Sequence, residues 1–192
     1  MQTKNPSVIA LSTASAASVT GLAFISPVII LIKDYYDVSS NEVQLTITIY
    51  LMAICISQIF WGPLSDLIGR RIVLIIGASL FSLGGILASL NLAFEVFVFF
   101  RFLQGVGAAA CLSMPRVMLT ESYGVKKAAA KMSTLLAFMA IFPILSAAFG
   151  GYIGENYGWQ INFFTLFLFC LLYTSDAADD MQCVDLGGRR II

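Results

Sequence analysis

Two clusters of side chains in this sequence could do more than pack. The first is Arg101-Phe-Leu-Gln104-Gly105, set inside an otherwise apolar stretch. Arg101 and Gln104 stand three apart, so on a helix they share one face. A guanidinium inside an apolar span is costly unless it pairs or meets water, which makes it a functional candidate by default. The plain alternative is that it snorkels to the lipid headgroups. The second cluster is Gly62-Pro-Leu-Ser-Asp66-Leu-Ile-Gly69-Arg70-Arg71. Its two glycines permit a tight turn, and one carboxylate beside two guanidiniums gives a fixed charge pattern. A loop that only sets membrane topology needs Arg or Lys, not the Gly-x-x-x-Asp-x-x-Gly spacing. A further cation, Arg116, stands near Glu121, where a structural or topogenic role is sufficient.

Other chemistry is excluded by what the sequence lacks. It has no His, so the commonest general base and transition-metal ligand are missing. No G-x-x-x-x-G-K-[ST] loop offers a phosphate cradle, and no G-x-S-x-G elbow offers a nucleophile. The four cysteines show no metal or disulfide spacing; Cys55 and Cys111 lie in apolar runs, where a small packing role is the default. No catalytic residue, metal or cofactor is expected. The formal net charge of zero gives no field that would draw nucleic acid.

The elements that hold the two clusters are membrane spans. Of 192 residues, 59% are hydrophobic and 11% charged, with a mean hydropathy of +0.89. An ordinary globular domain carries about 25% charged residues. Apolar runs fall at Val8–Ile32, Val43–Trp61, Ile72–Ala93, Val96–Met118 and Met132–Ile153, and a sixth begins at Trp159. Crossing about 30 Å of hydrocarbon takes roughly 20 helical residues, and in lipid runs of this length are helices. The expectation is an all-α polytopic protein of six transmembrane helices, the sixth cut short. Lys4 and the Ala14-Ser15-Ala16 triplet resemble a signal peptide, but the apolar region between them is too short, so the first span is read as retained.

Arg70 and Arg71 join spans two and three, and Lys126, Lys127 and Lys131 join spans four and five. The opposite loops carry Lys33 among Asp34, Asp37 and Glu42, then Glu95, then Glu155. The positive-inside rule puts the basic loops and the N-terminus in the cytoplasm. From Cys170 onward the composition turns acidic where a span should continue. Cys170-Leu-Leu-Tyr-Thr-Ser-Asp-Ala-Ala-Asp-Asp180 resembles a translated transposase-type sequencing adapter, and Val184–Ile192 resembles its far end. Residues 1–169 are therefore read as the bundle and 170–192 as a non-native tail.

The run from Gly62 to Arg71 resembles the signature loop of the major facilitator superfamily. That resemblance implies a latch in which Asp66 and the arginines, with Gly62 and Gly69, hold one conformation against an opposite helical bundle. Arg101, Gln104 and Gly105 resemble the family's second motif and imply proton coupling there. Span five carries Pro143 and then Gly150-Gly151-x-x-Gly154, followed by Gly158-Trp159. Close helix packing is a sufficient reason for these small residues. The arrangement also resembles the span-five motif of drug/proton antiporters, and the whole chain looks most like the bicyclomycin-resistance (Bcr/CflA) branch. An acidic residue usual in the first span of that branch is absent: the turn before Pro27 is Ala23-Phe24-Ile25-Ser26.

Spans one to three and four to six would be two inverted three-helix repeats, forming the N-terminal bundle of a twelve-helix facilitator. Pro27 and Pro115 then sit at matching places, roughly 20 residues into spans one and four. Matching breaks mark either a central cavity or ordinary kinks. The function implied is secondary transport: export of small molecules or drugs in exchange for protons, by alternating access. The partners would be a small-molecule substrate, protons, the lipid bilayer of the inner membrane and a second six-helix bundle, without nucleic acid. The alternatives are a metabolite uptake permease, a non-transporting receptor or assembly factor on the same bundle, and, third, a membrane enzyme.

Overall fold

The computed structural model describes residues 7–168 and residue 170, so most of the segment read as a non-native tail lies outside it. No strand occurs among the described residues. The helices are α1 (Val8–Ala23), α2 (Ile29–Tyr36), α3 (Ser40–Ile68) and α4 (Arg70–Ala88). A further helical run, Phe94–Tyr157, is broken by the non-helical backbone of Gly124 into α5 (Phe94–Gly124) and α6 (Lys126–Tyr157). A last helix, α7, covers 160–168.

Helices α3, α4, α5 and α6 have 29, 19, 31 and 32 residues and are apolar enough to cross a membrane. Helix α1 has only 16. The single first span expected over Val8–Ile32 is in fact α1 and α2, separated by a turn through Phe24–Val28. Pro27 lies in that turn: it has no N–H to donate, and its ring opposes the carbonyl four residues back. Short bonds from Ile25 N to Leu22 O (3.3 Å) and Val28 N to Ile25 O (3.1 Å) take over from the helical ladder. Pro115 and Pro143, in contrast, lie inside helices that continue through them.

Local chemistry sets the other boundaries. Ser39 and Glu42 form a reciprocal capping box at the start of α3, with Ser39 N donating to Glu42 Oε2 (2.8 Å) and Glu42 N to Ser39 Oγ (3.3 Å). Between α3 and α4 stands one residue, Gly69, with φ 96°. A side chain there would be strained, which is why glycine makes this joint.

Helix α5 packs against α1, α3 and α4: Ser15 donates to Cys111 O, and a Cβ on Gly105 or Gly77 would run into Tyr50 or Ala110. Its buried segment Gly107-Ala108-Ala109-Ala110 and the buried Ser12, Ala14, Ser15, Ala16, Ala17 and Ser18 of α1 are small, so the backbones approach closely, as lipid-embedded helices require. At the end away from Gly69, Tyr36, Phe94, Phe97, Trp159 and Phe163 form an aromatic cluster. Ile59, Phe60 and Ile144 face outward, as lipid-facing side chains do.

Candidate functional site

The glycine-and-charge motif is helix rather than loop. Gly62 through Ile68 complete the last turns of α3, Gly69 alone makes the turn, and Arg70 and Arg71 open α4. The tight turn expected of two glycines therefore needs only one: a Cβ on Gly62 would meet no described atom within 4 Å. Arg70 is the hinge of the charges. It pairs with Asp66 one turn back, donates to Ser65 Oγ, and reaches Glu121 near the end of α5 (Nη2 to Oε1, 3.2 Å). Three helix ends are thus tied through one guanidinium. The Asp66 side chain stays 64% exposed, so its carboxylate has room for another partner. Arg71 is half-buried.

Glu121 spends its carboxylate on Arg70 rather than on Arg116. Arg116 instead sends Nη2 toward Met139 Sδ (3.5 Å) and, with Glu121 and Thr120, lines an open cavity of about 390 Å³ between α5 and α6.

Arg101 and Gln104 lie in the interior, fully buried. Arg101 does not snorkel. Its Nη1 donates to Gln104 Oε1 (2.5 Å) and to the carbonyl of Gly21 on α1 (3.4 Å). Its guanidinium carbon lies 4.4 Å from the centre of the Tyr50 ring and 5.6 Å from that of Phe163, within cation–π range of both. Tyr50 in turn donates to Ser18 O (2.6 Å). Arg101 Nε and Nη2 and Gln104 Nε2 have no hydrogen-bond partner among the described residues. Gly105 sits where α5 meets α3: a Cβ there would stand 2.6 Å from the Tyr50 carbonyl oxygen. The spacing brought Arg101, Gln104 and Gly105 to one place; Tyr50 carried no sequence signal, being one aromatic residue in an uncharged span.

The glycines of α6 face the break in span one. A Cβ on Gly150 would lie 2.7 Å from Phe24 Cδ1, one on Gly151 3.5 Å from Pro27 Cβ, and one on Gly154 would overlap Val28. Pro143 lies two turns earlier on the same helix. Asn162 of α7 closes the contact, donating to Gly150 O (2.9 Å) and Phe24 O (3.4 Å). Sequence reasoning missed Asn162, although an amide in an apolar run was a usable signal. Pro27 is thus joined to the α6 glycines, whereas Pro115 lies buried in α5 and apart from them.

Set beside known proteins, this arrangement is familiar. The sequence model described as Major Facilitator Superfamily matches residues 11–175. The multidrug resistance protein MdtL of Escherichia coli O81 (strain ED1a) is 33% identical over 132 residues, covering 68% of this chain and 34% of that protein. The MdtL of Klebsiella pneumoniae (strain 342) is 31% identical over the same shares. This chain therefore spans about a third of the length of the curated relatives it matches. Among solved structures, the proton:xylose symporter XylE bound to 6-bromo-6-deoxy-D-glucose superposes with a TM-score of 0.81 at 15% identity, over 90% of this chain and 43% of that one.

Proposed function

The chain belongs to the major facilitator superfamily, and on that premise we propose that the intact protein is a secondary transporter that exports small molecules across the inner membrane. Resemblance to proteins whose names state multidrug resistance supports export. The observation that carries the mechanistic part is Arg70, held between Asp66 and Glu121 at the joint of α3 and α4. A carboxylate that is fixed by its neighbour yet exposed, next to an open face at Gly62, is suited to a second bundle that docks and releases.

In this reading the relatives' additional length supplies that second bundle, and the two rock against each other around a central path. Protons drive the cycle. Arg101 couples the state of α1 to that of α5, since it touches the carbonyl beside the span-one break and the ring of Tyr50 together. The basic ends of α4 and α6 and the N-terminus lie in the cytoplasm. The finer branch is the bicyclomycin-resistance type, on the strength of Gly150, Gly151 and Gly154 with Trp159, although the relatives above carry the name MdtL.

Inverted membrane vesicles bearing the full-length parent provide the test. A lipophilic dye should accumulate when respiration sets up a pH gradient and leak out on addition of a protonophore. Dye movement that survives loss of the gradient contradicts proton exchange, and movement only in the opposite direction favours an uptake permease.

A further inference from the structure

Helix α5 carries a second guanidinium, Arg116, which the transport reading leaves unused. It stands two residues, about 3 Å of helical rise, from the end of the apolar run Val96–Met118. That is the depth at which hydrocarbon gives way to headgroups. Half-buried there, Arg116 lines the cavity of about 390 Å³ between α5 and α6, with Val117, Thr120, Glu121 and Met132.

The charge of Arg116 is unmatched. Among the described residues no carboxylate forms an ion pair with it. Its Nη2 meets only the thioether of Met139 (3.5 Å), a weak acceptor. Nε is shut in, whereas Nη1 meets no described acceptor and keeps accessible surface. Glu121, the one acid on the wall, already takes Nε and Nη2 of Arg70 on its Oε1 (3.3 and 3.2 Å). From Arg116 to Lys131 it is the only acid, while Lys126, Lys127 and Lys131 stand exposed around the joint at Gly124. Lys131 adjoins Met132 of the cavity wall.

We propose that this cavity binds the phosphodiester of an anionic phospholipid, with Arg116 as its counter-ion. Basic pockets between spans are suited to anionic headgroups. A lipid phosphate already lies at this depth, and its glycerol and first methylenes can cover Val117 and Met132. A free anion would give up its full hydration for one guanidinium between apolar walls. A zwitterionic headgroup would bring its ammonium toward Lys126, Lys127 and Lys131. In the proposed orientation the lipid comes from the cytoplasmic leaflet. The inference goes beyond the export reading and does not depend on it.

Native mass spectrometry of the chain ejected from nanodiscs reads the site directly, using equal parts of dioleoyl-phosphatidylglycerol and dioleoyl-phosphatidylcholine. Expected is one retained phosphatidylglycerol, in clear preference to phosphatidylcholine. Arg116→Gln should cut that preference about 10-fold, the worth of a hydrogen bond to a charged group, and Arg116→Lys should keep most of it. Lys127→Gln removes the same charge outside the cavity and should cost clearly less. Circular dichroism checks that each variant keeps its helix content. Equal losses in Arg116→Gln and Lys127→Gln overturn the proposal, since they mark a diffuse basic rim. Displacement of the lipid by millimolar sn-glycerol 3-phosphate overturns it too, in favour of a soluble phosphate. The same measurement on the full-length parent should show the same preference; its absence there assigns Arg116 to the second bundle and overturns the lipid site. Dye export plays no part in the readout, so a failed lipid preference leaves the export reading standing.

Discussion

The guanidinium of Arg101 lies over the ring of Tyr50, 4.4 Å from its centre, in an interior whose helices supply no acid. Neither α1, nor residues 43–65 of α3, nor residues 96–120 of α5 contain Asp or Glu. A buried cation held by a carbonyl, an amide and a π-face is an expensive way to stabilise a bundle.

Its replacement should therefore separate folding from function. Arg101→Met combined with Gln104→Leu removes both polar partners together, and melting in detergent should be no lower than that of the parent. Export by the full-length protein should be lost. Arg101→Lys keeps the charge without the planar group that covers Tyr50, and export should fall here too. A double variant that no longer folds assigns Arg101 to structure alone.

The α6 glycines give a graded prediction. Gly150→Ala drives a methyl group to 2.7 Å from Phe24 Cδ1, so it should destabilise by about 1–3 kcal/mol. Gly151→Ala puts its methyl group at an ordinary 3.5 Å from Pro27 and should be tolerated. Thermal unfolding of the two variants in detergent decides; equal melting points contradict the packing described.

Orientation is tested by labelling. In a background lacking Cys55, Cys111, Cys170 and Cys183, a membrane-impermeant maleimide added outside should modify a cysteine at position 37 and spare one at 127. The opposite pattern reverses the topology.

Much of this architecture was legible because its causes are local. Uncharged runs of sufficient length mark spans whatever their neighbours, and Gly69 and Pro27 act through their own backbones. The division of span one into α1 and α2 was foreshadowed by Pro27, yet hydropathy ran unbroken to Ile32 and so joined them. Arg101 and Gln104 could be paired because three residues on a helix is a short-range relation. Tyr50, Glu121 and Asn162 could not, because each meets its partner 51 positions away or, for Asn162 and Phe24, 138. Gly62 was misplaced in a turn since glycine signals permission to bend, and only the helix through Pro63 shows that the permission goes unused.

In the proposed mechanism the Asp66–Arg70–Glu121 group governs conformation rather than topology. Asp66→Asn in the full-length parent tests it most directly, since it removes one charge and keeps size. Acidic residues contribute little to membrane orientation, so insertion and protein level should stay at the parental value. A coupling of about 1–3 kcal/mol shifts a two-state balance roughly 5–150-fold. The dye-export rate per molecule in inverted vesicles should therefore fall within that range. Export at the parental rate, at equal protein level, would contradict the latch and leave the motif a structural joint.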